Sequence, residues 1–509
     1  MTASPSPAPI TSRHVARGVG TTLLSRSGSV IEVVSQPLYV AMFGLASFGL
    51  YSVLWAAINL AENIFDLGMT SSMQRTVPQA KDDAAAAASL RQALILGVTP
   101  NLLIAMLASL FAPQIAPWLN VAQHDIPHVV PAIRLFAWAL PLWAFVEIAT
   151  SALRARHLFG AEIRLRLAYE QLMRLILAAI LYCAGLGLTG LFIAHLVSLS
   201  ATVLLSIRLL ARHYRLDLFL APAPEPLLTG NTMKAGISVL PANMVARFFG
   251  DLPPILLNML LPGSSGASAA ALYTIARKLS SLVQVVRTAF SYVLAPLASS
   301  ALRRDFGDVR ALYSYSTRLI TVIVLPLVAA LSAGIKPILQ FFGHDAGIAY
   351  GACLILILAR GLEAILGSAS PVFQVVSAYR RQLLPSIVGV TVALLIGLLL
   401  VPLSPLSGMA AAVACGLLLA SATPMALLHR YQHIHPFHEG FQRTAAIASA
   451  IAASAAVLAW TATLLPRGAA LFAILIVALG AIWSACRFAL AEADRLTLGK
   501  TGRALRLIA

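Results

Sequence analysis

Between Arg467 and Arg487 the chain reads GAALFAILIVALGAIWSAC (468–486), nineteen residues without one Asp, Glu, Lys, Arg or His. As an α-helix rising 1.5 Å per residue, this stretch reaches about 28 Å, the thickness of a bilayer's hydrocarbon layer. It lacks the alternation of a barrel strand. In lipid no water satisfies backbone N–H and C=O groups, so the segment must close its hydrogen bonds internally as a helix. The same texture recurs along all 509 residues: 59% are hydrophobic, 11% are charged and the mean hydropathy is +0.85. An ordinary soluble domain carries roughly 25% charged residues. The expected fold class is an all-α polytopic membrane protein.

Apolar runs between charge and turn signals give about fourteen spans, centred near residues 30, 60, 101, 142, 174, 199, 246, 281, 323, 358, 391, 418, 453 and 478. Lys and Arg in short loops are retained on the cytoplasmic side. Here they fall in alternate loops, for example Arg75, Lys81 and Arg91, then Arg154 and Arg156, then Arg208, Arg212 and Arg215, and later Arg380 and Arg381. About 26 of the 36 Lys and Arg belong to this set, whereas the opposite loops hold only Lys336 and Arg467. That alternation requires an even number of crossings, with both ends in the cytoplasm. The expected organisation is a Pro- and Ser-rich tail (1–12), a six-helix lobe (13–215), a cytoplasmic linker (216–234) that includes APAPEPLLTG, a second six-helix lobe (235–430), helices 13 and 14 (431–489), and a basic tail (490–509). A faint internal repeat supports two lobes: PLYVAMFGLASFGLYSVLWAA from Pro37 and PPILLNMLLPGSSGASAAALYTIARKL from Pro253 share proline, apolar run, glycine turn and tyrosine in the same order.

Several functions are disfavoured on the same grounds. The net charge of +17 follows from the loop bias, and no recognition motif accompanies it, so no nucleic-acid partner is expected. MTASPSPAPITS lacks the basic start and apolar core of a cleavable signal. Cys183, Cys353, Cys415 and Cys486 stand singly, which suggests neither a disulfide framework nor a metal knuckle. His429, His433, His435 and His438 read as a solvated or headgroup-facing loop rather than a metal site. The outer loops around 113–131 and 334–350 contain only Asp125 and Asp345 as acids. A membrane glycosyltransferase or polymerase needs acid/base groups beside its glycan, so an enzyme is the weaker alternative. There is no Walker A loop, G-x-S-x-G or H-E-x-x-H.

Ionisable residues inside spans are expensive unless paired or hydrated. Arg247 and Asp251, Glu170 and Arg174, and Arg360 and Glu363 are spaced to neutralise each other on one helix face. On the eighth span Arg277, Ser280, Gln284, Arg287 and Ser291 form a stripe with no acid of its own. Its counterpart on the second span is Asn59, Glu62, Asn63, Asp66 and Thr70. In a two-lobe transporter both stripes face a central cavity; the competing expectation is that opposite charges zip the lobes together. Arg26 has no acid within four residues, which leaves a ligand or snorkelling to the headgroups as its partner.

Residues 45–79, LASFGLYSVLWAAINLAENIFDLGMTSSMQRTVPQ, resemble the second helix of bacterial polysaccharide and O-antigen flippases, and FGDLPPILLNMLLPGSSG (249–266) resembles the same family. These flippases belong to the multidrug/oligosaccharidyl-lipid/polysaccharide exporter superfamily. The resemblance implies a multi-pass protein of the bacterial inner membrane that flips polyprenyl-pyrophosphate-linked oligosaccharide by alternating access, for lipopolysaccharide or exopolysaccharide synthesis. A lipid II flippase and a cation-coupled multidrug exporter are the alternatives within the superfamily. Implied partners are the lipid-linked oligosaccharide, membrane lipids, and a polysaccharide polymerase with its glycosyltransferases. No cofactor is implied beyond Na+ or H+ coupling. In that setting Arg26, Arg277, Gln284, Arg287 and Arg247 are the expected diphosphate and cavity residues, since a guanidinium offers bidentate donors and stays protonated when partly dehydrated. Asn59, Glu62, Asn63, Asp66 and Asp251 are the expected ion-coupling or cavity residues.

Overall fold

The computed structural model describes residues 28–156, 158, 165, 169–215, 230–302, 306–377, 379–437, 440–498, 502, 503, 506 and 507. Every regular element among them is a helix, and each of the fourteen expected span centres falls inside one. Among the described residues nine stretches are long and apolar enough to cross a bilayer, and Val33–Phe43 and Leu384–Leu400 are shorter apolar helices. The chain is a multi-pass, all-α membrane protein. Its internal contacts form two compact units, one ending at Ile275 and one beginning at Ala276.

The first unit contains α1 (Gly28–Phe43), α2 (Leu45–Phe65), α3 (Met69–Thr76), α4 (Asp83–Leu110), α5 (Ile126–Phe136), α6 (Ala139–Ala155), α7 (Glu170–Cys183), α8 (Gly187–His213), α9 (Asn231–Leu260) and the start of α10 (Gly263–Leu302). Helix α4 shows why these sequences suit lipid. Asp82 caps it, accepting the Ala85 N–H at 2.7 Å. Its small residues Ala86, Ala93, Gly97 and Ala105 turn inward, while Leu103, Met106 and Leu110 are exposed. Large apolar side chains outside and small ones at helix contacts are the arrangement expected where lipid is the solvent. Met69, Met73, Leu90, Ile148, Leu153 and Leu210 fill the core beneath α3, α4, α6 and α8.

Helix α9 packs along α2 and α3. At one end Gly68, at φ +75°, lies so close to Gly236 that a Cβ there meets the Gly236 carbonyl oxygen at 2.1 Å. At the other end the α9–α10 hairpin is clasped by two asparagines. Asn258 Nδ2 donates to the Asn120 carbonyl (2.7 Å), and Asn120 Nδ2 donates to the Asn258 carbonyl (2.8 Å). The Asn120 and Gly263 backbone N–H groups donate to the opposing side-chain oxygens at 3.1 and 3.0 Å.

The second unit contains the remainder of α10, then α11 (Phe306–Ala333), α12 (Tyr350–Leu366), α13 (Ala369–Val376), α14 (Leu384–Leu400), α15 (Pro405–Gln432), α16 (Phe441–Ala462), α17 (Arg467–Phe488) and α18 (Glu492–Leu496). Helix α15 packs on α12 and α14, and the pair α16–α17 docks on α11. Ala459, Ala462, Ile474 and Ala478 meet Ala330 in that contact. A forked ion pair fastens α18 to α11: Arg318 Nε and Nη2 donate to the two Asp494 oxygens, both at 2.8 Å.

Candidate functional site

Within the first unit, the acidic stripe of α2 is buried. Asn59, Glu62 and Asp66 are all enclosed, and Asn63 is half-buried. Asn59 Nδ2 donates to the Trp55 carbonyl at 2.9 Å, a local bond that holds the amide along its own helix. The helix stops at Phe65 because Leu67 and Gly68 take left-handed conformations (φ +53° and +75°), and α3 then restarts at Met69. This break puts the Asp66 carboxylate where a helix resumes: its Oδ2 accepts the Thr70 N–H at 3.0 Å. Asp66 Oδ1 has no hydrogen-bond partner among the described residues. Glu147, buried on α6, is near enough to interact with Asp66 electrostatically. Sequence reasoning missed Glu147, although a single acid inside the apolar run ALPLWAFVEIATSALRA (139–155) is a signal of this kind.

On α9, Arg247 Nη1 lies 3.5 Å from Asp251 Oδ2; the acid is buried and the arginine half-exposed. A second buried knot in this unit is built around His195, which sequence reasoning also missed. Arg174 Nη1 donates to His195 Nε2 at 3.0 Å, and Tyr51 Oη lies 2.9 Å from His195 Nδ1. Glu170 Oε1 is 3.7 Å from the same guanidinium, and Gln171 Oε1 accepts from it. Trp55 and Phe136 wall in the imidazole, with centroids 4.4 and 5.1 Å away.

Within the second unit, α10 carries Arg277, Gln284 and Arg287 half-buried on one face. Ten residues separate the two arginines, about 15 Å along the axis. The stripe has no acid of its own, but α12 supplies one: Arg287 Nη1 is 2.8 Å from Glu363 Oε1. The other oxygen of Glu363 takes Arg360 Nη1 at 2.7 Å. Two guanidinium groups therefore share one carboxylate. Arg26 lies outside the described residues, as does His438. Among the described residues no group of three His, Cys, Asp or Glu side chains is placed to hold a metal ion.

These helices resemble solved transporters of low sequence similarity. The lipid II flippase MurJ in an inward closed conformation matches with a TM-score of 0.70 at 10% identity, covering 91% of this chain and 97% of that one. An inward-facing multidrug resistance transporter of the MATE family in the MOP superfamily matches with a TM-score of 0.67 at 14% identity, over 82% and 98% of the two chains. A MOP superfamily transporter from Pyrococcus furiosus, described as having a binding pocket of reverse polarity, gives a TM-score of 0.61 at 16% identity, over 82% and 95%. At such identities the likeness establishes the fold. No curated protein matches by sequence. The family described as polysaccharide biosynthesis protein, however, matches residues 42–344, from the end of α1 through α11, which is more than half of the chain. With that match added to the multi-helix membrane fold, the chain belongs to the polysaccharide biosynthesis protein family.

Proposed function

We propose that the protein is a flippase that carries a polyprenyl-pyrophosphate-linked oligosaccharide across the bacterial inner membrane by alternating access, for surface polysaccharide synthesis. The observation that carries this proposal is the basic face of α10, where Arg277, Gln284 and Arg287 occupy a 40-residue helix, more than long enough to cross a bilayer, and Arg287 keeps about a quarter of its side chain exposed (27%). A cation kept partly accessible in such a helix suits a mobile anionic partner, and a guanidinium suits a diphosphate. Arg287 is the proposed diphosphate contact; Arg26 and Arg247 are candidates on sequence grounds alone. Arg277 lies too far along α10 to share one diphosphate with Arg287 and meets another part of an elongated substrate. The lipid tail stays in the bilayer, and helices between 443 and 489 form the extra pair beyond two six-helix lobes.

Family membership and the flippase and exporter folds of the solved neighbours support a membrane flippase or exporter; the glycan cargo is the finer step. Coupling to Na+ or H+ through Glu62, Asp66 and Glu147 is a second element of the proposal, favoured by the Asp66 oxygen that has no hydrogen-bond partner among the described residues. Replacing Arg287 or Arg26 by Ala is expected to abolish surface polysaccharide while the protein level stays normal. Normal polysaccharide in both variants overturns the diphosphate contact. A deletion strain that keeps its polysaccharide but becomes hypersensitive to cationic dyes favours the multidrug exporter instead.

A further inference from the structure

The Arg287–Glu363–Arg360 cluster has an asymmetry that bears on how an anion is admitted. Arg360 and Glu363 are three residues apart on α12, and both are buried. Arg287 reaches the same carboxylate from α10 with its side chain 27% exposed. Its Nε, like that of Arg360, has no hydrogen-bond partner among the described residues, so the difference between the two lies in exposure and in the helix that carries them. Arg287 crosses over Gly367, where a Cβ would lie 2.8 Å from that Nε, so the absence of a side chain leaves the arginine room. Of the two guanidinium groups, Arg287 is the one able to leave. Its departure leaves Glu363 paired with Arg360, a neutral pair, so no buried acid is left uncompensated. The cluster as it stands carries one excess positive charge, which an incoming anion neutralises.

We propose that Glu363 is a positioning residue that parks Arg287 until an anionic diphosphate displaces it. The proposal rests on the reading above that Arg287 contacts the diphosphate. Glu363 then competes with substrate for Arg287, and it prevents a partly exposed cation from holding the product too tightly for release. A residue that merely supports the fold cannot strengthen ligand binding when it is altered, so the sign of the effect is diagnostic.

The test measures binding of undecaprenyl pyrophosphate to the full-length protein in nanodiscs by native mass spectrometry, with uncharged undecaprenol as the control lipid. Glu363→Gln removes the competing charge and is expected to tighten diphosphate binding roughly tenfold, the scale set by a partly desolvated ion pair. Glu363→Asp withdraws the carboxylate by one methylene; Arg360, three residues away on the same helix, is expected to follow it, whereas Arg287, reaching from α10, is expected to lose its contact. This variant is expected to shift affinity in the same direction and remains informative if the Gln variant does not fold. Undecaprenol affinity is expected to stay unchanged in both. Unchanged or weaker diphosphate binding in both Glu363 variants, with Arg287→Ala binding weakly, overturns the parking role and leaves the diphosphate contact standing. Arg287→Ala binding as tightly as wild type overturns the contact itself.

Discussion

Arg174 lies 4% exposed among an acid, an amide, an imidazole and a phenol, and its guanidinium reaches each of them. Removing one member of a buried ion pair costs more than the pair contributes, because the remaining charge stays desolvated. Arg174→Met is expected to lower folding stability by about 3–5 kcal/mol, since it takes the buried cation away from the Glu170 carboxylate. The double variant Glu170→Gln/Arg174→Met is expected to recover part of that loss. Thermal unfolding in detergent reads both, and equal melting temperatures for the single and double variants refute the pairing. The Glu170–Arg174 contact was legible in the sequence because a four-residue spacing puts both side chains on one helix face. His195 was not, because its partners lie 21 and 144 residues away and no local pattern encodes them. The same holds for Glu363: its bond to Arg360 follows from a three-residue spacing, whereas its bond to Arg287 depends on how α10 and α12 pack.

Between elements, contacts are set by small residues and amides that hydropathy does not register. The sequence shows where α2 and α9 run, since apolar length alone marks them, but not that Gly68 and Gly236 let α9 approach α3. Gly68→Ala introduces a Cβ 2.1 Å from a carbonyl oxygen and places it at φ +75°. Gly440→Ala meets open space at φ +90° and bears the backbone strain alone. The first is expected to abolish folded protein in a membrane extract, and the second to cost about 1 kcal/mol, the scale of a non-glycine residue in the left-handed region. Equal yields of the two variants in size-exclusion chromatography contradict the close approach. The Asn120–Asn258 clasp joins residues 138 apart and was likewise invisible in the sequence. Asn258→Ala removes two side-chain hydrogen bonds and leaves the Asn120 carbonyl and N–H short of their partners, a loss of about 2–3 kcal/mol. Hydrogen exchange at residues 119–121 is expected to accelerate in that variant, and unchanged exchange refutes the clasp.

At the scale of the whole chain, hydropathy and charge give different crossing counts, and a topology experiment decides between them. Among the described residues nine stretches qualify as spans by length and hydropathy, and two shorter apolar helices bring the total to eleven. An odd number sets the two ends on opposite sides and breaks the alternation of arginine-rich and arginine-poor loops. The alternation is restored if Glu170–Cys183, Asn231–Leu260 and Gly263–Leu302 also cross. These helices are short or carry charges such as Glu170, Arg247, Asp251, Arg277 and Arg287. Polar side chains score against crossing in any hydropathy window, yet they are what a transport path requires, so functional helices are the ones such a window rejects. The prediction is made with single cysteines in a background where the four native cysteines are replaced. Gly347 and Gly468 suit the outer positions, because a side chain at either meets nothing within 4 Å. Gln79 and Gln442, both exposed, suit the inner ones. A membrane-impermeant maleimide is expected to label 347 and 468 in intact spheroplasts, and 79 and 442 only after permeabilisation. Seven crossings separate 79 from 347 if the three polar helices span, and four if they do not. Labelling of 79 and 347 from the same side therefore removes at least one of those helices from the membrane, and with it the even count on which cytoplasmic placement of both ends depends.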